Sequence, residues 1–266
     1  MTQLSSILLI GCGNMGGAML TGWLASGMDP ARFTVVDPVL AEAPAGVTLL
    51  RALPDRSFDA ILLGVKPQLF GEVAPAVAAL AGPEAILLSI LAGVELASLA
   101  ARFPHAKGLV RIMPNLAAAI GKSPIALAQR GLGEADQARI TALMVPLGTP
   151  EWFDESQFDA VTALAGSGPA FVYRFIDALA EGATALGLPA DQAQRLALAT
   201  VEGAGALASA SEHAPGELAR RVASPGGTTE AGLKTLDADG ALAHLVAATL
   251  KAAATRSAEM SAAARD

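Results

Sequence analysis

The chain has 266 residues and a formal net charge of −7, and 53% of its residues are hydrophobic while 16% are charged. This composition indicates a globular protein, and the acidic balance argues against nucleic-acid binding, which needs a basic face. No apolar run approaches the roughly 20 residues of a membrane span, and no leader peptide is predicted because the first apolar run enters a glycine motif. The single cysteine, Cys12, excludes an intramolecular disulfide and predicts a reducing, cytoplasmic location.

The chain opens with a short apolar run that leads into a glycine-rich turn. Residues 7–10 predict a buried parallel strand, and the motif Gly11-x-Gly13-x-x-Gly16 follows them and opens a helix. Gly11 permits a tight turn, Gly13 lets the backbone approach a pyrophosphate, and Gly16 lets the helix pack close to the strand. The motif therefore predicts a site for a nicotinamide or flavin dinucleotide. The predicted contacts are Gly11, Gly13, Asn14, Met15 and Gly16.

A second predicted strand, residues 33–37, ends in an acid at the distance from the glycine motif that suits a ribose contact. The Asp37 carboxylate can accept hydrogen bonds from the hydroxyl groups of an adenosine ribose. Further short apolar runs alternate with helical stretches at 71–81 and 95–103, which indicates a parallel sheet covered on both faces. These further strands are predicted at residues 60–65, 85–90, 108–112 and 124–128.

In a parallel sheet of this kind, ligands bind at the carboxyl ends of the strands. The glycine motif and Asp37 lie at that edge, and three later segments also follow predicted strands. These segments are Lys66-Pro67, Leu91-Ala-Gly93 and Met113-Pro-Asn115. Lys66 lies beside the predicted cofactor, and either a solvated turn lysine or a functional lysine fits that position.

The composition changes after about residue 155, and alanine-rich helical patterns replace the strands. Phe171, Phe175 and Leu179 form one apolar stripe on the first of these helices. An isolated bundle this apolar would expose much of its surface, so a dimer at least is predicted through this half. The predicted helices cover residues 170–186, 190–212 and 215–222, with two more after Pro225.

The two halves predict an α/β fold class. An N-terminal Rossmann-type parallel-sheet domain covers residues 1–156, and a C-terminal all-α domain covers 157–266. The helical half contains one conspicuous polar break, residues 224–232, with the sequence Ser-Pro-Gly-Gly-Thr-Thr-Glu-Ala-Gly. Its backbone N–H groups and hydroxyls suit a carboxylate, and an ordinary helix–helix turn fits the composition equally well.

Two other kinds of catalytic chemistry find no support in the sequence. The three histidines, His105, His213 and His244, lie far apart, and none has the spacing of a metal ligand. The segment Gly166-Ser-Gly lacks the strand-to-helix elbow of a hydrolase nucleophile. We therefore predict a cofactor site and a candidate anion site, with no metal and no strong acid–base pair.

Taken together, these motifs resemble those of the pyrroline-5-carboxylate reductases across essentially the whole chain. Many dehydrogenases share the glycine motif, whereas Ser224–Thr229 in a helical C-terminal half is specific to this family. The resemblance favours the functional interpretation of that loop over an ordinary turn. The other matching segments are Val65-Lys-Pro67, Ser89-Ile-Leu-Ala-Gly-Val94, Arg111-Ile-Met-Pro-Asn115 and Ala163-Leu-Ala-Gly-Ser-Gly-Pro-Ala170.

The resemblance implies the last step of proline biosynthesis, in which NADH or NADPH delivers hydride to the C=N bond of 1-pyrroline-5-carboxylate. It implies Thr229 as the catalytic residue near the ring nitrogen, and interleaved dimers through the helical domain that often assemble further. The implied substrate contacts are Ser224, Gly226, Gly227, Thr228, Thr229 and Glu212. The implied cofactor contacts beyond the glycine motif and Asp37 are Val65, Lys66, Pro67, Ala92, Gly93 and Asn115.

One departure from the family concerns the choice of cofactor. Many members prefer NADPH and place neutral or polar residues with a cation after the second strand. This chain instead has Asp37-Pro-Val-Leu40 and no Lys or Arg after it before Arg51. A carboxylate at this position repels a 2′-phosphate, and nothing nearby in the sequence neutralises it. The sequence therefore predicts a preference for NADH.

Two alternative functions stay open from the sequence. A β-hydroxyacid dehydrogenase has a similar glycine motif and a helical second domain, but it uses a lysine where helix 170–186 has only Arg174 as a basic residue. A non-catalytic dinucleotide sensor would bind the cofactor and lack the substrate loop, so the intact Ser224–Thr229 argues against it. Turnover of the cyclic imine discriminates between these functions.

Overall fold

The computed structural model describes residues 4–263, which form two compact units. Within the described chain, the first unit holds residues 4–166 and 253–263, and the second is Ser167–Ala252. The last helix therefore begins in the second unit and ends in the first. The sequence-based division into 1–156 and 157–266 stays a prediction, because a domain is defined by its ability to fold alone as well as by compactness.

The first unit is organised around a sheet of eight strands. In chain order they are β1 (Ile7–Ile10), β2 (Phe33–Val36), β3 (Thr48–Leu50), β4 (Ala60–Leu63), β5 (Ile86–Ser89), β6 (Gly108–Met113), β7 (Ser123–Arg130) and β8 (Gly148–Trp152). Across the sheet the order is β3-β2-β1-β4-β5-β6-β7-β8. Neighbouring strands are parallel except β6 and β7, which are antiparallel. This topology confirms the predicted Rossmann-type α/β fold.

The central strands are readable from the sequence because both of their faces are covered. Every residue of β1, β2, β4 and β5 is buried, so each strand is a nearly continuous apolar run. On one face Trp23 stacks against Phe33 with ring centroids 5.3 Å apart, and its indole N–H donates to the Leu143 carbonyl at 2.7 Å. Phe103 and Phe158 belong to the core on the other face.

The two edge strands, β3 and β8, were not predicted from the sequence. β3 has only three residues and none is fully buried, while β8 contains Pro150 and alternates between exposed and partly buried residues. An edge strand pairs on one side only, so it tolerates proline and needs little apolar sequence. The parallel direction predicted for β7 is wrong, because the connection at residues 114–122 is too short for the crossover of a parallel pair.

Residues 4–166 contain five α-helices, and two of these confirm the helical stretches predicted around 71–81 and 95–103. They are α1 (Asn14–Ala25), α2 (Phe70–Ala78), α3 (Leu96–Arg102), α4 (Glu134–Met144) and α5 (Phe158–Val161). α5 continues into a π-helical turn, Thr162–Gly166, which was not predicted from the sequence. Single π-helical turns inside α-helices are rare, and those that occur are often found at functional sites.

The second unit is helical, and no strand occurs within residues 167–252. Its elements are α6 (Gly168–Ala185), α7 (Ala190–Ala210), α8 (Pro215–Val222), α9 (Thr228–Leu236) and the start of α10 (Ala241–Ala263). The buried core between α6 and α7 is small and consists of Ala180, Ala193 and Ala197. Large apolar side chains lie outside it: Phe175 of the predicted stripe is 46% exposed and Leu196 is 57% exposed. Among the described residues, none of the helices combines the length and apolarity that crossing a bilayer requires.

Candidate functional site

The glycine motif lies between the end of β1 and the start of α1. The Gly11 N–H donates to the Val36 carbonyl at 2.9 Å, and Gly11 has φ +84°, a left-handed conformation that favours glycine. A Cβ on Gly16 would lie 3.0 Å from the Gly11 carbonyl oxygen, so a side chain there would require the backbone of the turn to shift. A Cβ on Gly13 would meet nothing within 4 Å. Open space therefore faces the turn, and a phosphate has room to approach the backbone.

The N-terminus of α1 provides hydrogen-bond donors beside that space. Gly13 is the N-cap, and no side chain caps the helix. The N–H groups of the first helical turn have no partner within the helix, and they carry the positive end of the helix dipole. This arrangement fits the pyrophosphate of a dinucleotide. The residues of that turn are Asn14, Met15 and Gly16.

Asp37 directly follows β2 and holds the glycine turn through its carboxylate. One oxygen accepts from the Cys12 N–H at 2.9 Å, and the other accepts from the N–H groups of Val39 and Leu40 at 2.8 and 3.0 Å. Burial would raise the pKa of Asp37, but these backbone donors and the nearby Arg51 guanidinium outweigh burial, and the pKa lies below its ordinary value. The carboxylate is therefore charged at neutral pH and keeps acceptor capacity for a hydroxyl group.

A cavity of about 710 Å³ opens at this edge of the sheet. It adjoins the ends of β1, β2 and β4 and lies in the size range of ligand pockets. Predicted cofactor residues from three separate segments meet in its lining, which includes Gly11, Gly13, Asp37, Val65 and Lys66. The next residue, Pro67, begins a 3-10 turn after β4.

The sequence-based premise that no cation lies near Asp37 is wrong. β3 pairs with β2, and the Asp37 N–H donates to the Leu50 carbonyl at 3.2 Å, so Arg51 lies next to Asp37. The Arg51 guanidinium donates to the carbonyl oxygens of Asp37 and Leu40 at 2.7 Å each, and to that of Ala41 at 3.4 Å. Only the short edge strand β3 could have revealed this neighbour. The preference for NADH itself stays a prediction.

The remaining predicted cofactor residues follow β5 and β6. Ala92 is exposed, whereas Gly93 is buried. A Cβ added to Gly93 would lie 3.2 Å from the Met260 carbonyl oxygen. The Asn115 side chain is buried, and its amide donates to the Ala165 carbonyl at 3.0 Å. Asn115 therefore holds the π-helical turn, and its direct contact with a cofactor stays a prediction.

In the second unit, the predicted polar break forms a β-turn before α9. The Gly227 N–H donates to the Ser224 carbonyl at 2.9 Å, and Gly226 has φ +71° after Pro225. This is the pattern of a type II turn, in which the third position needs a left-handed residue. The first residues of α9, both exposed, are Thr228 and Thr229.

Glu230 is a residue of this loop that the sequence interpretation missed. Its carboxylate accepts from the Gly226 N–H at 2.6 Å and pairs with Lys234 at 3.0 Å. The bond from Gly226, followed by that from Lys234, lowers the pKa of Glu230 below its ordinary value. The loop thus already binds one carboxylate, which comes from its own helix. A glutamate in the first turn of a helix is a known capping signal and could have revealed this contact.

The two predicted kinds of site are therefore distinct in composition. The first unit presents a cavity with glycine-turn donors and a fixed carboxylate, and the second unit presents a carboxylate-binding turn. Glu212 lies outside that turn, exposed in the connection between α7 and α8, and its role stays a prediction. Among residues 4–263, no three His, Cys, Asp or Glu side chains are grouped as metal ligands.

Known proteins of one family are similar to this chain in both sequence and fold. The family model for pyrroline-5-carboxylate reductase dimerisation matches residues 155–260. A pyrroline-5-carboxylate reductase of Pseudomonas aeruginosa is 38% identical over 265 residues, which cover 96% of either protein. The structure of a pyrroline-5-carboxylate reductase from Coxiella burnetii matches with a TM-score of 0.90 and 30% identity, covering 97% of this chain and 99% of that one. The Plasmodium falciparum pyrroline carboxylate reductase, solved with NADP bound, shares the fold with a TM-score of 0.80 at 23% identity, covering 96% of this chain and 98% of that one.

Proposed function

The chain belongs to the pyrroline-5-carboxylate reductase family, and we propose that it reduces 1-pyrroline-5-carboxylate to L-proline with NADH or NADPH, the last step of proline biosynthesis. The observation that carries this proposal is the turn at Ser224–Thr229. It combines a left-handed glycine, two exposed threonines and a Gly226 N–H that already donates to a carboxylate. The substrate of the proposed reaction carries one carboxylate, which is the group that such a turn binds.

The substrate carboxylate binds at the turn and positions the ring of the imine. The donors are the Ser224 hydroxyl and the N–H groups of Gly226 and Thr228, while the Thr229 hydroxyl lies beside the ring nitrogen. The Gly227 N–H closes the turn on the Ser224 carbonyl, so Gly227 contributes to the site by holding the turn. Because Glu230 occupies the Gly226 N–H in the free chain, the substrate has to displace that side chain or share the donor with it.

The chemistry requires little acid–base assistance from the protein. A protonated cyclic imine is already an electrophile, so catalysis consists chiefly of placing the reacting carbon correctly. The bound reduced nicotinamide supplies the hydride that adds to the C=N carbon, and the imine nitrogen becomes the secondary amine of proline. The chain contributes the glycine turn and Asp37 to hold the dinucleotide, and the Ser224–Thr229 turn to orient the substrate.

We also propose that the helical unit forms a homodimer, with further association of dimers. Two observations support this: the dimerisation model of the family covers residues 155–260, and the core of the unit consists of alanines while large apolar side chains stay exposed. A second copy would cover those side chains. The proposal includes a cytoplasmic location, which the single cysteine Cys12 favours.

The test is the loss of reduced-nicotinamide absorbance with 1-pyrroline-5-carboxylate, run in parallel with NADH and NADPH. We expect turnover, and we expect Thr229→Ala to lower kcat/KM by roughly tenfold or more, as for a lost hydrogen bond to the reacting group. Cofactor affinity should stay nearly unchanged. Thr235→Ala, on the same helix but after the first turn, is the matched control and should behave like the unaltered chain.

Unchanged kinetics in Thr229→Ala would remove this residue from the site. A folded chain that binds either cofactor without turning over the imine would contradict the reductase function and favour the dinucleotide sensor.

A further inference from the structure

The cavity beside Asp37 contains a fixed cation whose role the proposed reaction does not define. We propose that Arg51 recognises the 2′-phosphate of NADPH, so that the cavity admits NADPH as well as NADH. This inference rests on the proposed use of a nicotinamide cofactor, and it concerns the specificity of one cavity for two closely similar molecules.

The strand order places Arg51 where a 2′-phosphate would extend. In the order β3-β2-β1-β4, the glycine turn follows β1, Asp37 follows β2 and Arg51 follows β3. The dinucleotide pyrophosphate binds at the end of β1 and the ribose at the end of β2, so the next strand end in that direction belongs to β3. Lys66, another cation in the cavity lining, follows β4 on the opposite side of β1.

The guanidinium of Arg51 is held in place by the turn at residues 37–41. It donates to the carbonyl oxygens of Asp37, Leu40 and Ala41, which engages three N–H donors. A guanidinium has five such donors, so donors remain for the oxygens of a phosphate. Because the side chain is ordered before the ligand binds, little further conformational freedom is lost on binding.

The charges around the cavity make this cation necessary for one cofactor only. The carboxylates of Asp37 and Glu72 line the cavity and repel a phosphate dianion. Arg51 and Lys66 are the cations among the described lining residues, and Arg51 is the one beside the ribose position. The ribose of NADH carries a 2′-hydroxyl instead, which donates to Asp37 and needs no cation. Loss of Arg51 should therefore separate the two cofactors.

The test measures binding of NADPH and NADH by nicotinamide fluorescence in the absence of substrate. Arg51→Gln is compared with Arg56→Gln, because Arg56 donates to the Thr34 hydroxyl at 2.7 Å, lies over the Phe58 ring and does not line this cavity. We expect Arg51→Gln to weaken the binding of NADPH by about tenfold or more, as for one lost charge-assisted hydrogen bond. The affinity for NADH should fall by less than about twofold, as for a substitution of an exposed side chain that does not contact the ligand. Arg56→Gln should change neither.

A second probe isolates the phosphate itself. In competition against NADH, Arg51→Gln should weaken the binding of 2′,5′-ADP and leave the binding of 5′-AMP nearly unchanged. Arg51→Lys keeps the charge and should bind NADPH more tightly than Arg51→Gln does.

Equal weakening of NADPH and NADH by Arg51→Gln would overturn the proposal, because Arg51 would then only shape the turn. Unchanged NADPH binding would overturn it as well, and so would equal affinities of the lysine and glutamine variants. In all three cases imine turnover by the unaltered chain would leave the proposed function standing. If the unaltered chain binds neither NADH nor NADPH, both the proposed function and the proposed role of Arg51 are wrong.

Discussion

Asp37→Ala tests how the glycine turn is held, because it removes the acceptor of three backbone hydrogen bonds. Val39 is 87% exposed, so water replaces the partner of its N–H at little cost. Cys12 and Leu40 are only partly exposed, and leaving their two N–H groups unsatisfied costs about 1–2 kcal/mol in total after screening by the nearby solvent. We therefore expect the free energy of unfolding to fall by about 1–2 kcal/mol at neutral pH, and Tm to fall by a few degrees.

The pH dependence identifies the carboxylate as the cause of that loss. The folded-state pKa of Asp37 lies below its ordinary value, so its stabilising effect is complete above the unfolded-state pKa and is lost as the pH falls through the folded-state pKa. Urea unfolding curves of the unaltered chain and Asp37→Ala should lie apart at neutral pH and converge in acid. Asp37→Asn keeps one acceptor oxygen and should lie between them. Equal stability at neutral pH, or an undiminished difference in acid, would refute this reasoning.

Two further predictions concern the second unit. Gly226→Ala forces a Cβ into the left-handed region at φ +71°, which costs about 1–2 kcal/mol, so KM for 1-pyrroline-5-carboxylate should rise severalfold in steady-state assays. Gly232→Ala in α9, where a Cβ meets nothing within 4 Å, should leave KM unchanged, and a normal KM in Gly226→Ala would contradict the role of the turn. Leu196→Glu charges a side chain that is 57% exposed in the single chain, and light scattering should show dissociation of the dimer. Val145→Glu in the first unit, also 57% exposed, should leave the dimer intact; equal effects would contradict a helical interface.

Much of the fold could be predicted from the sequence because the central strands carry their own signal. A strand buried on both faces is a short apolar run, as in Ala-Ile-Leu-Leu of β4, and its burial does not depend on which neighbour it pairs with. The edge strands β3 and β8 lack that signal because they are partly exposed and one of them contains a proline. The direction of β7 depends on the length of its connection to β6, which becomes visible only when both strands are located.

The candidate sites divide in the same way. The glycine turn at Gly11–Gly16 and the turn at Ser224–Gly227 were predictable from the sequence. Glycine permits values of φ that other residues avoid, and proline fixes φ, so a few adjacent residues indicate the turn. The contact of Asn115 with the Ala165 carbonyl was not, since nothing local to either residue indicates the other.

By itself, the sequence determined the strand–turn–helix order, the dinucleotide motif and the Pro-Gly-Gly turn, because steric limits on φ and hydrophobic periodicity act between neighbouring residues. Only the tertiary structure decided that Arg51 lies beside Asp37 and that residues 253–263 belong to the first unit. Such contacts depend on pairing and packing between segments far apart in the chain. The proposed discrimination between NADH and NADPH depends on one of those contacts, that between Arg51 and the backbone at Asp37.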